Sequence, residues 1–186
     1  AGLSDLTELR MTETGVEDIS MLSGLHIRIL DISNTLVSDH RCIGEFSGLK
    51  QLLVSNVTGE DVEYLGKLKN IELLSIFDSD IPDLTVFSEL THLECLDMTG
   101  ARGISSLEGI ENFPSLTYLG LARTDITDIS PIESLSMLEM LDVTDAAVTD
   151  LSVAENLPRL TTLWIDSGKE AFVGRLSLDG VEVVVN

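Results

Sequence analysis

Positive charge is scarce in this chain of 186 residues: 11 Lys and Arg face 32 Asp and Glu, for a net charge of −21. Nucleic acid and anionic membrane surfaces recruit proteins through positive charge, so neither is expected as a partner, whereas a basic protein is compatible. The same acidic balance also keeps a folded chain in solution without any partner. No run approaches the roughly 18 apolar residues that a spanning helix needs, so no membrane insertion is expected. Aromatic residues make up 4%, with one Trp and two Tyr, and cysteine is limited to Cys42 and Cys95. Catalytic signatures are missing too. There is no glycine-rich phosphate loop and no serine nucleophile elbow. Of His26, His40 and His92, only His92 sits in a metal-binding spacing, with Cys95, and those two straddle an apolar Leu93. The sequence therefore implies no catalytic residue, no metal and no cofactor, and the chain reads as a non-enzyme. Hydrophobic content of 44% against 23% charged is enough to build a core.

What is present is a period. The phrases Leu9-Arg10-Met11, Leu30-Asp31-Ile32, Leu52-Leu53-Val54, Leu74-Ser75-Ile76, Leu96-Asp97-Met98, Leu119-Gly120-Leu121, Leu141-Asp142-Val143 and Leu163-Trp164-Ile165 start 21, 22, 22, 22, 23, 22 and 22 positions apart. A fixed period of this length marks a solenoid. One turn reads Leu116, Leu119, Leu121, Ile126, Ile129, Ile132, Leu135. The first three, at spacings of three and two, suit a short strand with inward residues alternating. The last four are three apart, which suits 3₁₀-like turns. The whole of 1–186 reads as one domain, with turns beginning near 6, 27, 49, 71, 93, 116, 138 and 160 and a C-terminal cap over 169–186.

These phrases resemble the leucine-rich repeat pattern L-x-x-L-x-L-x-x-N-x-L over residues 3–178. The 22-residue class of internalins and of the phosphatase regulator Sds22 carries an I-x-D-I phrase, matched here by Val16-Glu17-Asp18-Ile19, Ile81-Pro82-Asp83-Leu84, Ile126-Thr127-Asp128-Ile129 and Val148-Thr149-Asp150-Leu151. The resemblance implies an α/β solenoid with a curved parallel sheet of eight or nine short strands on the concave face and 3₁₀ or short helical turns on the convex face. It also implies work by protein recognition, and the chain is expected to be a monomer. Two settings fit: an internalin-like bacterial surface or secreted protein, and an Sds22-like intracellular scaffold of a partner enzyme. A rigid spacer within a larger protein is a further reading. The Cys-rich end caps of many extracellular members are missing, which favours a reducing compartment, although internalin-like repeats manage without disulfides. The family's Asn is replaced throughout, by Thr14, Thr35, Val57, Ser79, Ala101, Thr124, Ala146 and Gly168. Thr and Ser retain one hydroxyl bond to the backbone; Val, Ala and Gly do not.

Local departures carry their own expectations. His40 stands where other turns have Ile or Leu. Thr58, followed by Glu60 and Asp61, reads as the N-cap of a true short α-helix. Thr99-Gly100-Ala101-Arg102-Gly103 holds one extra residue and reads as a bulged loop. Asp18, Asp39, Asp83, Asp128 and Asp150 form an edge column; each is expected to cap its own 3₁₀ turn in preference to binding calcium. Cys42 and Cys95, about 14 Å apart at ~4.8 Å per strand, are too distant for a disulfide, which needs about 7 Å. Residues 1–6 already read as repeat sequence without a signal peptide or capping helix, as in a mature protein or trimmed fragment. After a helical turn over 170–178, Val181–Val185 reads as a ninth parallel strand, with a hairpin across Asp179-Gly180 as the alternative.

Alternation also sorts the outward side chains into three columns across the concave sheet. They contain Leu53, Leu73, Phe77, Cys95, Tyr118, Met140 and Trp164, bordered by Asp97, Asp142, Asp145 and Asp166. Aligned apolar side chains on an open face mark an interaction site, Trp and Tyr are frequent anchors, and the aspartates suit a partner with a basic rim. Isolated apolar residues on a sheet need no partner. Six large ones in three columns favour a binding face.

Overall fold

The computed structural model describes residues 5–186; Ala1 to Ser4, part of the stretch 1–6 expected to be repeat sequence, lie outside them. Each Leu-x-Leu phrase becomes a strand. In chain order these are β1 (Glu8–Arg10), β2 (Ile29–Asp31), β3 (Gln51–Ser55), β4 (Leu73–Phe77), β5 (Cys95–Asp97), β6 (Tyr118–Gly120), β7 (Met140–Asp142), β8 (Thr162–Ile165) and β9 (Glu182–Val185). Among the described residues they form one open sheet in sequence order, and all pairs are parallel. The final strand pairs Leu163 with Val183 and Trp164 with Val184 in parallel, so the hairpin alternative is excluded.

The inward leucines stack into a ladder. Leu30, Leu52, Leu74, Leu96, Leu119, Leu141 and Leu163 are all 0% exposed. Behind them pack the convex-side residues, including Phe87 and Phe113, which are fully buried. The convex segments are 3₁₀ turns over Ser20–Leu22, Arg41–Glu45, Thr85–Phe87, Ile110–Asn112, Ser130–Ser134 and Ser152–Asn156. The third turn instead carries a real helix, α1 (Asp61–Leu65), and the cap carries α2 (Glu170–Val173). The expected cap of α1 is corrected. The helix starts after Glu60 with no side-chain cap, and Thr58 contributes only its carbonyl, accepting from the Asp61 N–H. The acids early in the segment fill the first turn, where the helix dipole already favours them.

The aspartate column caps as expected. Asp18, Asp39, Asp83, Asp128 and Asp150 each accept, through Oδ1, the N–H two residues on, at 2.7–3.1 Å. Such Asx turns start each 3₁₀ segment without demanding anything from a neighbouring turn. The lost family Asn is replaced piecemeal. The hydroxyls of Thr14, Thr35 and Thr124 donate to carbonyls three residues back. Ser79 links two turns, accepting from the Val57 N–H and donating to the Phe77 carbonyl. Beside Gly168, the buried Lys169 reaches back and donates to the Ala146 carbonyl at 2.9 Å.

One recurrent feature of the chain has no fixed residue type. Glu13, Asn34, Asn56, Asp78, Gly100, Arg123 and Asp145, each two residues past the second inward position of its strand, all have φ between 50° and 71°. Left-handed backbone costs roughly 1 kcal/mol for a non-glycine residue. Here each N–H is aimed at an acceptor on the following turn, as in Asn56 to Phe77 O and Arg123 to Thr144 O, so the ladder gains a rung past the strand. The expected bulged loop after β5 contains two such residues, Gly100 and Gly103, and Arg102 bridges to Asp80.

Candidate protein-binding face

Register decides which outward residues meet. In the first column Leu73, Cys95, Tyr118, Met140 and Thr162 are successive partners across β4 to β8. In the second, Leu53, Ser75, Asp97, Gly120, Asp142 and Trp164 are successive partners across β3 to β8. Phe77 opens the third column opposite Ser55. The sequence columns are therefore physical rows of side chains, about 4.8 Å apart.

The rows make two connected zones. Leu53, Leu73 and Phe77 lie on β3 and β4 around Ser75. Tyr118, Met140 and Trp164 lie on β6 to β8, and Cys95 joins the two. All seven predicted apolar or sulfur side chains are half-buried. Tyr118 and Trp164 meet edge to face, with centroids 6.4 Å apart and an interplanar angle of 65°, the orientation that aromatic quadrupoles prefer. The most exposed large apolar side chains lie elsewhere: Met21 and Leu36 in the first two turns, and Phe172 and Val185 in the cap.

Aspartates on this face do local work that was not anticipated. Asp31, Asp97 and Asp142 each accept the N–H two residues on, from Ser33, Thr99 and Thr144, at 2.8–3.1 Å. The Asp-x-Ser/Thr phrase that places these caps is visible in the sequence. Each cap uses Oδ1 alone. Burial raises the pKa of Asp97, with its Thr99 bonds opposing and Asp142 adding to the rise. Burial likewise pushes up the Tyr118 phenol, with Asp97 and Asp142 adding to it, and takes the Cys95 thiol to about 11. Asp166 is held differently. It caps the turn over Ser167–Lys169, accepts the Asp145 N–H and pairs with Lys169.

Gly120 also escaped sequence reading. A Cβ there would sit 2.6 Å from Asp97 Oδ1 and 3.0 Å from the Tyr118 hydroxyl. Glycine is what lets both groups fold down over the middle of the sheet.

The convex side has a cavity of about 540 Å³ lined by Asp39, Arg41, Cys42, Tyr64 and Lys67 among others. Its cations are already engaged: Arg41 pairs with Asp39, and Lys67 sits 4.3 Å over the Tyr64 ring. Cys42 and Cys95 are free thiols. Among the described residues no three His, Cys, Asp or Glu side chains cluster as metal ligands, and no helix is long and apolar enough to cross a membrane.

No family model and no curated protein matches the sequence. Solved structures do match. The internalin InlF of Listeria monocytogenes superposes with a TM-score of 0.75 at 20% identity, covering 99% of this chain and 62% of that one. Internalin C2 of the same organism gives 0.77 at 21% identity, covering 97% and 80%. A leucine-rich repeat protein of Leptospira interrogans gives 0.74 at 19%, covering 98% of this chain and 49% of that one. The chain thus spans about three-fifths of InlF and half of the Leptospira protein. At such identities the likeness is one of architecture, and the fold of this chain is the leucine-rich repeat solenoid.

Proposed function

We propose that the chain is a non-catalytic protein-interaction module that binds a partner protein across its concave sheet. The observation that carries this reading is the continuous row Leu73, Cys95, Tyr118 and Met140, with Trp164 packed edge-on against Tyr118. Polar side chains would serve the sheet equally well there, since nothing in the core requires apolar residues on the outer face. Large side chains aligned on a preformed surface lose little entropy on binding and remove much apolar area from water. We favour an internalin-like setting over an Sds22-like scaffold or a passive spacer, because both Listeria internalins share the architecture over nearly the whole chain. The partner binds through Leu53, Leu73, Phe77, Cys95, Tyr118, Met140 and Trp164, with Asp97 and Asp142 facing a basic rim. Affinity capture with the wild-type array and with Tyr118, Met140 and Trp164 all changed to Ser tests the reading. Retention of every captured partner by the triple variant would defeat it.

A further inference from the structure

We propose that the floor at Gly120 seats one guanidinium group, from an arginine that the partner inserts into the concave face. This inference rests on the concave-face reading and names the partner's anchor. Asp97 and Asp142 are the second-column residues on either side of Gly120. The Oδ1 of each is used by its own cap. Among the described residues neither carboxylate has a basic partner, although Lys and Arg form six ion pairs elsewhere. Two half-buried like charges are thus held near each other without a counter-ion; burial raises the proton affinity of Asp97, and Asp142 adds to the rise.

Two further groups on this face lack partners. The Tyr118 hydroxyl, folded over Gly120, makes no hydrogen bond among the described residues. Ser75, the register partner of Asp97 on the same face, is 3% exposed, and its Oγ is unpartnered. A buried hydroxyl such as Ser75 Oγ is rarely left so, and an arriving group that reorders Asp97 offers it and the half-buried Tyr118 hydroxyl a new network.

The shape selects the cation. Asp97 and Asp142 sit on strands about 9.6 Å apart, and the lean of Asp97 over Gly120 narrows the gap between their oxygens. A guanidinium offers donors on opposite edges of one plane, whereas an ammonium is a compact point. The Tyr118 and Trp164 rings supply the wall that a guanidinium plane stacks against.

Because Trp164 is the only Trp, its fluorescence reports on the site. The acetylated, amidated tripeptide Gly-Arg-Gly is titrated against the intact chain, with the citrulline and lysine analogues as controls; Trp164 emission and the Gly120 amide shift are followed. The arginine peptide should give a saturable change, with citrulline and lysine about tenfold weaker or more. Asp142→Asn keeps the Oδ1 cap and should lower arginine affinity about tenfold with an unchanged circular dichroism spectrum; Gly120→Ala should do the same by prising Asp97 from Tyr118. No saturable response, equal citrulline binding, or full affinity in Asp142→Asn overturns the proposal. Partner capture separates the two readings. If the triple Ser variant loses the partner while Asp97→Asn with Asp142→Asn keeps it, the arginine seat fails and the concave face stands. Retention by the triple variant defeats both.

Discussion

His40 Nδ1 lies 3.1 Å from Asp61 Oδ2, tying the convex segment of the second turn to α1 in the third. The same carboxylate oxygen accepts the His40 backbone N–H. His40 is 1% exposed and its Nε2 has no partner. A buried nitrogen without a partner costs about 1–3 kcal/mol. His40→Leu removes it, keeps the backbone bond and restores the side-chain type of the neighbouring turns. The variant should gain ~1 kcal/mol in urea denaturation. Asp61→Ala orphans both His40 donors and should lose about 1–3 kcal/mol. A loss in His40→Leu equal to that in Asp61→Ala would mean that the pair, and not the orphan nitrogen, dominates.

Lys169 is 6% exposed, bonded to the Ala146 carbonyl and paired with Asp166. Its ammonium ties its own turn back to the one before it. Lys169→Met leaves that carbonyl and the Asp166 carboxylate short of a donor, with a cost of about 3 kcal/mol or more. Amide exchange should accelerate first in β8 and β9. Unchanged protection there would show that the cap does not depend on this bridge.

Gly66 closes α1, and its backbone passes so near the next turn that a Cβ would stand 2.2 Å from the Val86 carbonyl oxygen. A backbone oxygen cannot rotate aside. Gly66→Ala should therefore lose about 1–3 kcal/mol, even though alanine favours helices and φ is an ordinary −62°. A thermal midpoint equal to wild type would show that adjacent turns slide apart freely.

Acid should weaken the solenoid through its caps. Asp18, Asp128 and Asp150 are held below the ordinary 3.8 chiefly by backbone N–H bonds, and Asp39 and Asp83 chiefly by the Arg41 and Thr85 side chains. With folded values lowered, the unfolded chain takes up protons first. The contribution of the caps is complete above 3.8 and is lost as pH falls through the lowered values. Asp97, raised by burial, runs the opposite way, since its contribution is lost as pH rises through its folded value. Asn at 18, 128 and 150 accepts the same bonds without titrating. Urea midpoints measured from about pH 4 to about pH 2.5 should fall less steeply in that triple variant than in wild type. Parallel slopes would sink this account.

Much of the molecule was legible in the chain. The strands, the inward leucines, the α1 segment, the ninth strand and the capping role of Asp18, Asp39, Asp83, Asp128 and Asp150 all follow from spacing and residue type, because each rests on contacts within one turn or between identical turns. The columns holding Tyr118, Met140 and Trp164 were legible for the same reason: alternation and a constant period fix their register. The cap of α1 was misplaced because residue type favours Thr58, whereas the helix starts after Glu60, beyond a turn in which the Thr58 carbonyl accepts from the Asp61 N–H.

The rest was decided between turns. Nothing in the identity of Glu13 or Arg123 announces left-handed backbone; it is imposed by the ladder bond that each N–H makes to the following turn. Nothing near Lys169 shows that its ammonium will donate to the carbonyl of Ala146, 23 residues earlier. Nothing in the sequence singles out Gly120, over which Asp97 and Tyr118, from the neighbouring strand and its own, close. Period and polarity act along the chain, so they can be read from it. The fit of one side chain into space left by another turn depends on atoms that meet only after the solenoid has wound.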